Sequence, residues 1–212
     1  MDVTRLEAIG ANASAGSCRV DPACLRIVGR VNLAMSRHLA DIVRSFKNYK
    51  ALGDAALAQV RDEHLHTEID PNSNSLAVIV KHLGGNLRSR FRDFLTTDGE
   101  KPDRDRDGEF EMRERATREQ ILGWWNDGWA IALASIEALV PGDLDRMVTI
   151  RGEAFLVVEA LNRSVTHAAY HVGQIVYLAR HFAGPGWKTL SIPKGESAKF
   201  AKGDFKEKGI AR

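Results

Sequence analysis

His167 and His171 stand four residues apart in Thr166-His167-Ala168-Ala169-Tyr170-His171-Val172-Gly173-Gln174. In a helix this spacing puts both imidazoles on one face, where they can reach one point beside it. Two imidazoles at one point can supply two ligands to a divalent metal. A third histidine, His82, lies in a separate apolar stretch, Leu76-Ala77-Val78-Ile79-Val80-Lys81-His82-Leu83. Three imidazoles with a fourth position left to water describe a catalytic type of site, because structural zinc sites close all four positions with protein. Buried imidazoles without partners cost free energy, since each ring carries a donor and an acceptor. A metal satisfies one nitrogen per ring, and a carboxylate or carbonyl can take the other. Asn86, Ser164 and Gln174 are the candidate outer partners, and no catalytic residue beyond them is assigned. The competing reading is a set of core histidines bonded to neighbouring side chains, since a short i, i+4 motif has a high false-positive rate.

The remaining histidines carry weaker signals. His64 and His66 fall between helical stretches, where Glu63 and His66 form a single Glu-x-x-His. Di-iron bundles need two such patterns and further glutamates on facing helices. His38 and His181 sit near the expected helix ends, where exposure is the default. No His-Glu-x-x-His, Walker loop or Gly-x-Ser-x-Gly occurs, and Gly84-Gly85 lacks the context of a phosphate loop.

The elements that must position these side chains are helices. Apolar residues recur at helical spacing over about 36–60 (Leu39, Ile42, Val43, Phe46, Leu52) and from the turn at 70–74 to about Leu95. Thr117-Arg118-Glu119-Gln120 matches a capping box and starts a third helix that stops at Pro141-Gly142. A β-branched run at 147–150 reads as a short extended segment, and a fourth helix spans about 153–182. His167, His171 and Gln174 border the apolar stripe of that helix, and the two histidines are expected to point toward the bundle interior or its mouth. The segment from Thr96 to Arg115 is highly charged and reads as an exposed connection. Its length predicts a crossover within an all-α four-helix bundle. Residues 1–34 are rich in Ala, Gly and Ser and read as a poorly ordered extension, with the functional chain starting near Met35. The bundle domain is expected over 35–200, followed by a basic tail over 201–212.

Composition excludes several classes. The chain is 44% hydrophobic and 27% charged with a formal net charge of +2, too balanced to imply nucleic-acid binding. No apolar run approaches a membrane span, and the N-terminus lacks a secretory signal, so a cytoplasmic location is expected. Cys18 and Cys24 are too few for a disulfide scaffold and are expected as ordinary reduced thiols.

The ordered blocks 74–86 and 93–102, Ile150-Arg151-Gly152-Glu153, Asn162-Arg163, 167–174 and 190–197 together resemble the DinB-like superfamily of metalloenzymes, in a largely uncharacterised bacterial branch. The likeness covers roughly 35–200. It implies a four-helix bundle with one long crossover, commonly homodimeric. It also implies a divalent metal (zinc, nickel or iron) held by three histidines, carried over as His82, His167 and His171. Characterised relatives include transferases and isomerases that use low-molecular-weight thiols. The expectation is therefore thiol-dependent S-transfer onto a small-molecule substrate, the ion stabilising a thiolate. Hydrolysis at the same centre is the first alternative, and a non-enzymatic dimeric stress-response or metal-binding bundle the second.

Overall fold

The computed structural model describes residues 22–201, with side chains described over 33–199. Helix α1 runs Pro22–Leu57, α2 Leu76–Phe91, α3 Arg118–Glu137 and α4 Val157–Ala183, with a short α5 at Ser197–Ala201. Strands β1 (Met147–Ile150) and β2 (Glu153–Leu156) form an antiparallel hairpin. The protein is an all-α bundle of four long helices with this one small sheet among the described residues.

Several boundaries differ from those expected. Helix α1 already includes Pro22, ahead of the expected start near Ser36, and the stretch that follows holds Leu25, Ile27, Val28 and Val31. Cys18 and the side chain of Cys24 lie outside the described residues. Helix α2 stops at Phe91, where Arg92 turns extended and Asp93 takes a φ of 50°. Helix α3 starts as the sequence predicts, with both halves of the Thr117–Gln120 capping box formed. Residues 153–156, expected as helix, instead pair with β1 through a turn whose Arg151 and Gly152 have φ of 57° and 75°. Positive φ at both central residues is the type I′ pattern that suits a two-residue hairpin. Asp98 holds it, accepting from the backbone N–H groups of Arg151 and Gly152 at 2.8 Å each.

Cross-contacts fix the helix directions. Lys47 pairs with Glu137, Trp125 Nε1 donates to Asp54 at 2.7 Å and Arg118 reaches the carbonyl of Leu57, so α3 runs against α1. Gly84 meets Trp124 and Ser135 bonds the carbonyl of Phe91, so α2 and α3 run parallel. Gln59 and Lys188 bond each other just past the C-terminal ends of α1 and α4, which therefore point the same way. A parallel α2 and α3 demand that residues 92–117 return along α2, about 24 Å for its 16 residues. That connection is the crossover. It is not exposed throughout: Lys101 and Glu109 are buried, contrary to the sequence expectation.

Phe46, Phe91, Trp125 and Trp129 fill the centre and are fully buried. At Gly128 an added Cβ would lie 2.7 Å from the Cα of Gly84, and at Gly84 it would lie 2.3 Å from the carbonyl oxygen of Trp124. Only glycine at both positions lets the two backbones come this close.

Candidate metal centre

Helices α2 and α4 pack side by side in opposite directions, which brings His82 against His167 and His171. His82 and the distant pair His167 and His171 thus offer ligand atoms that all lie within 4.8 Å of one another. His167 Nε2 stands 3.1 Å from His171 Nε2 and 3.4 Å from His82 Nε2. On a tetrahedral ion with bonds of about 2.0–2.1 Å, neighbouring donors would stand about 3.3–3.4 Å apart.

Outer partners orient two of the rings. Glu109 Oε2 accepts from His82 Nδ1 at 2.9 Å, and Gln174 Oε1 accepts from His171 Nδ1 at 2.8 Å. Burial opposes the charge of Glu109, but bonds from Arg104 and His82 outweigh it and hold its pKa below the usual range. An ionised carboxylate only accepts, so Nδ1 of His82 carries a proton and, in the neutral ring, Nε2 presents its lone pair. The same holds for His171. His167 Nε2 can donate one hydrogen, which serves one of the two facing lone pairs and not both. His167 Nδ1, moreover, is buried with no partner. Burial pushes the pKa of His167 down to about 3, helped by the charges of His171 and His82, and burial also lowers that of His171. Protonation of His167 or His171 therefore does not supply a positive centre, whereas a divalent ion would. The donor set fits such an ion.

Glu109 is the residue that the sequence reading missed. It comes from the crossover, where a 3-10 turn at Gly108–Phe110 lays it against α2. Arg104 clamps its carboxylate through Nε and Nη2, both at 2.8 Å, with both side chains under 10% exposed. Gly85 makes the space: an added Cβ there would lie 2.3 Å from Glu109 Oε1. The glycine pair in α2 thus has two jobs, Gly84 admitting α3 and Gly85 admitting the carboxylate. Phe110, next in the chain, covers His82 with ring centroids 4.6 Å apart.

Of the expected outer partners, only Gln174 bonds a ring. Asn86 and Ser164 line the cavity beside His82 and His167 but, among the described residues, bond no imidazole. The other histidines stay apart. His66 Nε2 meets the carbonyl of Ala116 at 2.8 Å, and His64 stacks on Phe182. His181 is exposed, as expected, whereas His38 sits inside α1 half-buried, with Nε2 unpartnered, because the helix starts earlier.

The cavity that the cluster faces measures about 400 Å³. Bundle and site define a helical protein with a three-histidine cluster open to a polar cavity. The chain belongs to a family described as protein of unknown function (DUF1572), whose pattern it matches over residues 34–196. No curated protein and no solved structure matches it. No described helix is long and apolar enough to cross a membrane.

Proposed function

We propose that this protein is a divalent-metal-dependent enzyme of the DinB-like superfamily, with His82, His167 and His171 as ligands and S-transfer from a small thiol as its reaction. One observation carries the reading: three imidazoles converge beside a cavity that His82 and His167 line, and two of the rings, those of His82 and His171, have their outer nitrogens tied down. When bound, the ion supplies Lewis acidity beside the cavity, the property that favours a thiol's ionised form at neutral pH.

The chain's own residues do the positioning. Glu109 Oε2 fixes the His82 ring and its tautomer, and Gln174 Oε1 does the same for His171. Phe110 shields the His82 ring from water, and Tyr170 sets its ring edge-to-face with His171 at 4.9 Å. Ser164 and Asn86 offer hydroxyl and amide groups to whatever enters. An ion needing three neutral imidazoles is favoured by the low pKa of His167 and His171. The superfamily's dimer, if this chain forms it, is compatible with a site built wholly within one chain.

The test is conjugation of a low-molecular-weight thiol, such as glutathione, to monobromobimane by protein loaded in turn with zinc, nickel or iron. Metal-dependent product that His171→Ala abolishes supports the reading. Metal-dependent cleavage of a nitrophenyl ester without conjugation would replace S-transfer by hydrolysis, and neither activity with any metal would leave a non-enzymatic bundle.

A further inference from the structure

Guanidinium groups crowd the cavity beside the histidines. Arg90, Arg106, Arg151 and Arg163 all line it, together with His82 and His167. The carboxylates nearby are already engaged. Glu100 meets Arg90 at 3.2 Å, Arg151 at 3.0 Å and Arg104 at 3.3 Å, while Glu109 serves Arg104 and His82. Glu100 is held ionised: burial opposes its charge, but Arg151, Arg104 and Arg90 outweigh it. Among the described residues, Arg106 and Arg163 have no carboxylate partner, and Arg163 lies only over the ring of Phe155, at 5.8 Å. Four arginines and, among the described residues, no carboxylate line this concave wall; Glu100 pairs with two of them, Arg90 and Arg151, which leaves Arg106 and Arg163 without an ion-pair partner there.

Free arginines on a convex surface are simply solvated. Here the wall is concave, its volume of about 400 Å³ suits a small molecule, and like charges are held together by the fold. Such clefts focus the field and draw in counter-charged ligands. A guanidinium also offers a fork of N–H donors that matches two oxygens of a carboxylate or phosphate.

We propose that the cavity takes a small anionic molecule whose oxyanion group is held by Arg106 and Arg163, with its other end toward the three histidines. The second half of this statement rests on the metal-centre reading; the first does not, because the arginines are present with or without an ion. A bound divalent ion would add to the positive field rather than create it. Cationic small molecules are disfavoured at this wall.

The test is calorimetric titration of the full-length protein, metal-free and zinc-loaded, with succinate and with inorganic phosphate, the zinc content of each preparation being measured alongside. Arg106 and Arg163 are exposed, so Arg106→Ala and Arg163→Ala should fold, and their melting is checked by circular dichroism. Each alanine variant is expected to weaken the anion about tenfold in both metal states, the loss of one charge-assisted contact, with zinc content unchanged. Arg163→Lys should restore part of the affinity, and uncharged succinamide should not bind. Tighter succinate identifies a carboxylate ligand, tighter phosphate a phosphorylated one. The proposal is overturned if neither anion binds, or if binding is the same in both alanine variants as in wild type. Arginine-dependent binding in a protein that takes up no zinc would keep the anion site and remove the metal centre. Zinc uptake with arginine-independent binding would do the reverse.

Discussion

Replacing Glu109 by Gln keeps the shape of the side chain and removes its charge. The carboxylate accepts three short bonds, from His82 Nδ1 at 2.9 Å and from Arg104 Nε and Nη2 at 2.8 Å. An amide offers one acceptor oxygen and a donor group, so in either orientation a donor confronts a donor. If the amide nitrogen faces His82, the ring's proton moves to Nε2 and covers the lone pair that the metal needs. If it faces Arg104, a buried guanidinium loses half its clamp. Loss of an outer partner lowers metal affinity by about 10- to 100-fold, or about 1.4–2.7 kcal/mol. Breaking a buried pair costs about 3 kcal/mol of folding stability, about 6–12 °C in melting temperature for a chain of this size. Zinc competition with a chromophoric chelator reads the first quantity, and circular dichroism melts of metal-free protein read the second. Zinc affinity within about twofold of wild type would refute the idea that Glu109 orients His82 for a metal.

The two glycines of α2 and α3 should separate site from scaffold. Gly85→Ala pushes a methyl group onto Glu109 and is expected to lower zinc affinity more than stability. Gly128→Ala meets backbone, Gly84 O at 2.5 Å, and should cost about 1–3 kcal/mol in denaturant titration; a neutral result would show that the helices can part freely. Gln174→Ala should weaken zinc about tenfold with unchanged melting, and unchanged zinc affinity would remove Gln174 from the site. The pH dependence has two windows. The folded state holds His167 near 3 and His171 lowered, so below the usual 6.5 the unfolded chain binds more protons. Metal-free stability is therefore fully present above that value and declines as pH falls. The slope is at most about 1.4 kcal/mol per pH unit per group, reduced by solvent screening. Glu100 is lowered, its burial outweighed by Arg151, Arg104 and Arg90, so its contribution is present above its ordinary 4.5 and lost below. Chelator-treated melts across both windows check this, and a flat profile between 6.5 and 4.5 contradicts the histidine part.

What the sequence made legible was local. The i, i+4 spacing put His167 and His171 on one face, and Gln174 followed three residues on, so one helix displayed two imidazoles and an outer partner together. His82 stood out because few residue types can join such a pair. Glu109 escaped because its surroundings are dense in charge, and dense charge ordinarily means solvent. Its burial depends on Arg104 and on the empty space at Gly85, both properties of the packed chain. The Gly84-Gly85 pair inside an apolar helical pattern was the available signal, since helix interiors disfavour glycine without a packing reason. The bundle and its crossover were likewise visible from four periodic stretches and one long connection. Strand β2 was not, because Phe155 and Leu156 continue the apolar pattern of α4 without a break.

Elemental analysis of purified wild type beside His82→Ala, His167→Ala and His171→Ala, each reconstituted and desalted, tests the central claim most directly. The three-histidine centre predicts about one divalent ion per chain in wild type and a sharp loss in every variant, with helical content retained. No ion in wild type after reconstitution, or unchanged content in the variants, would make the histidines a structural cluster.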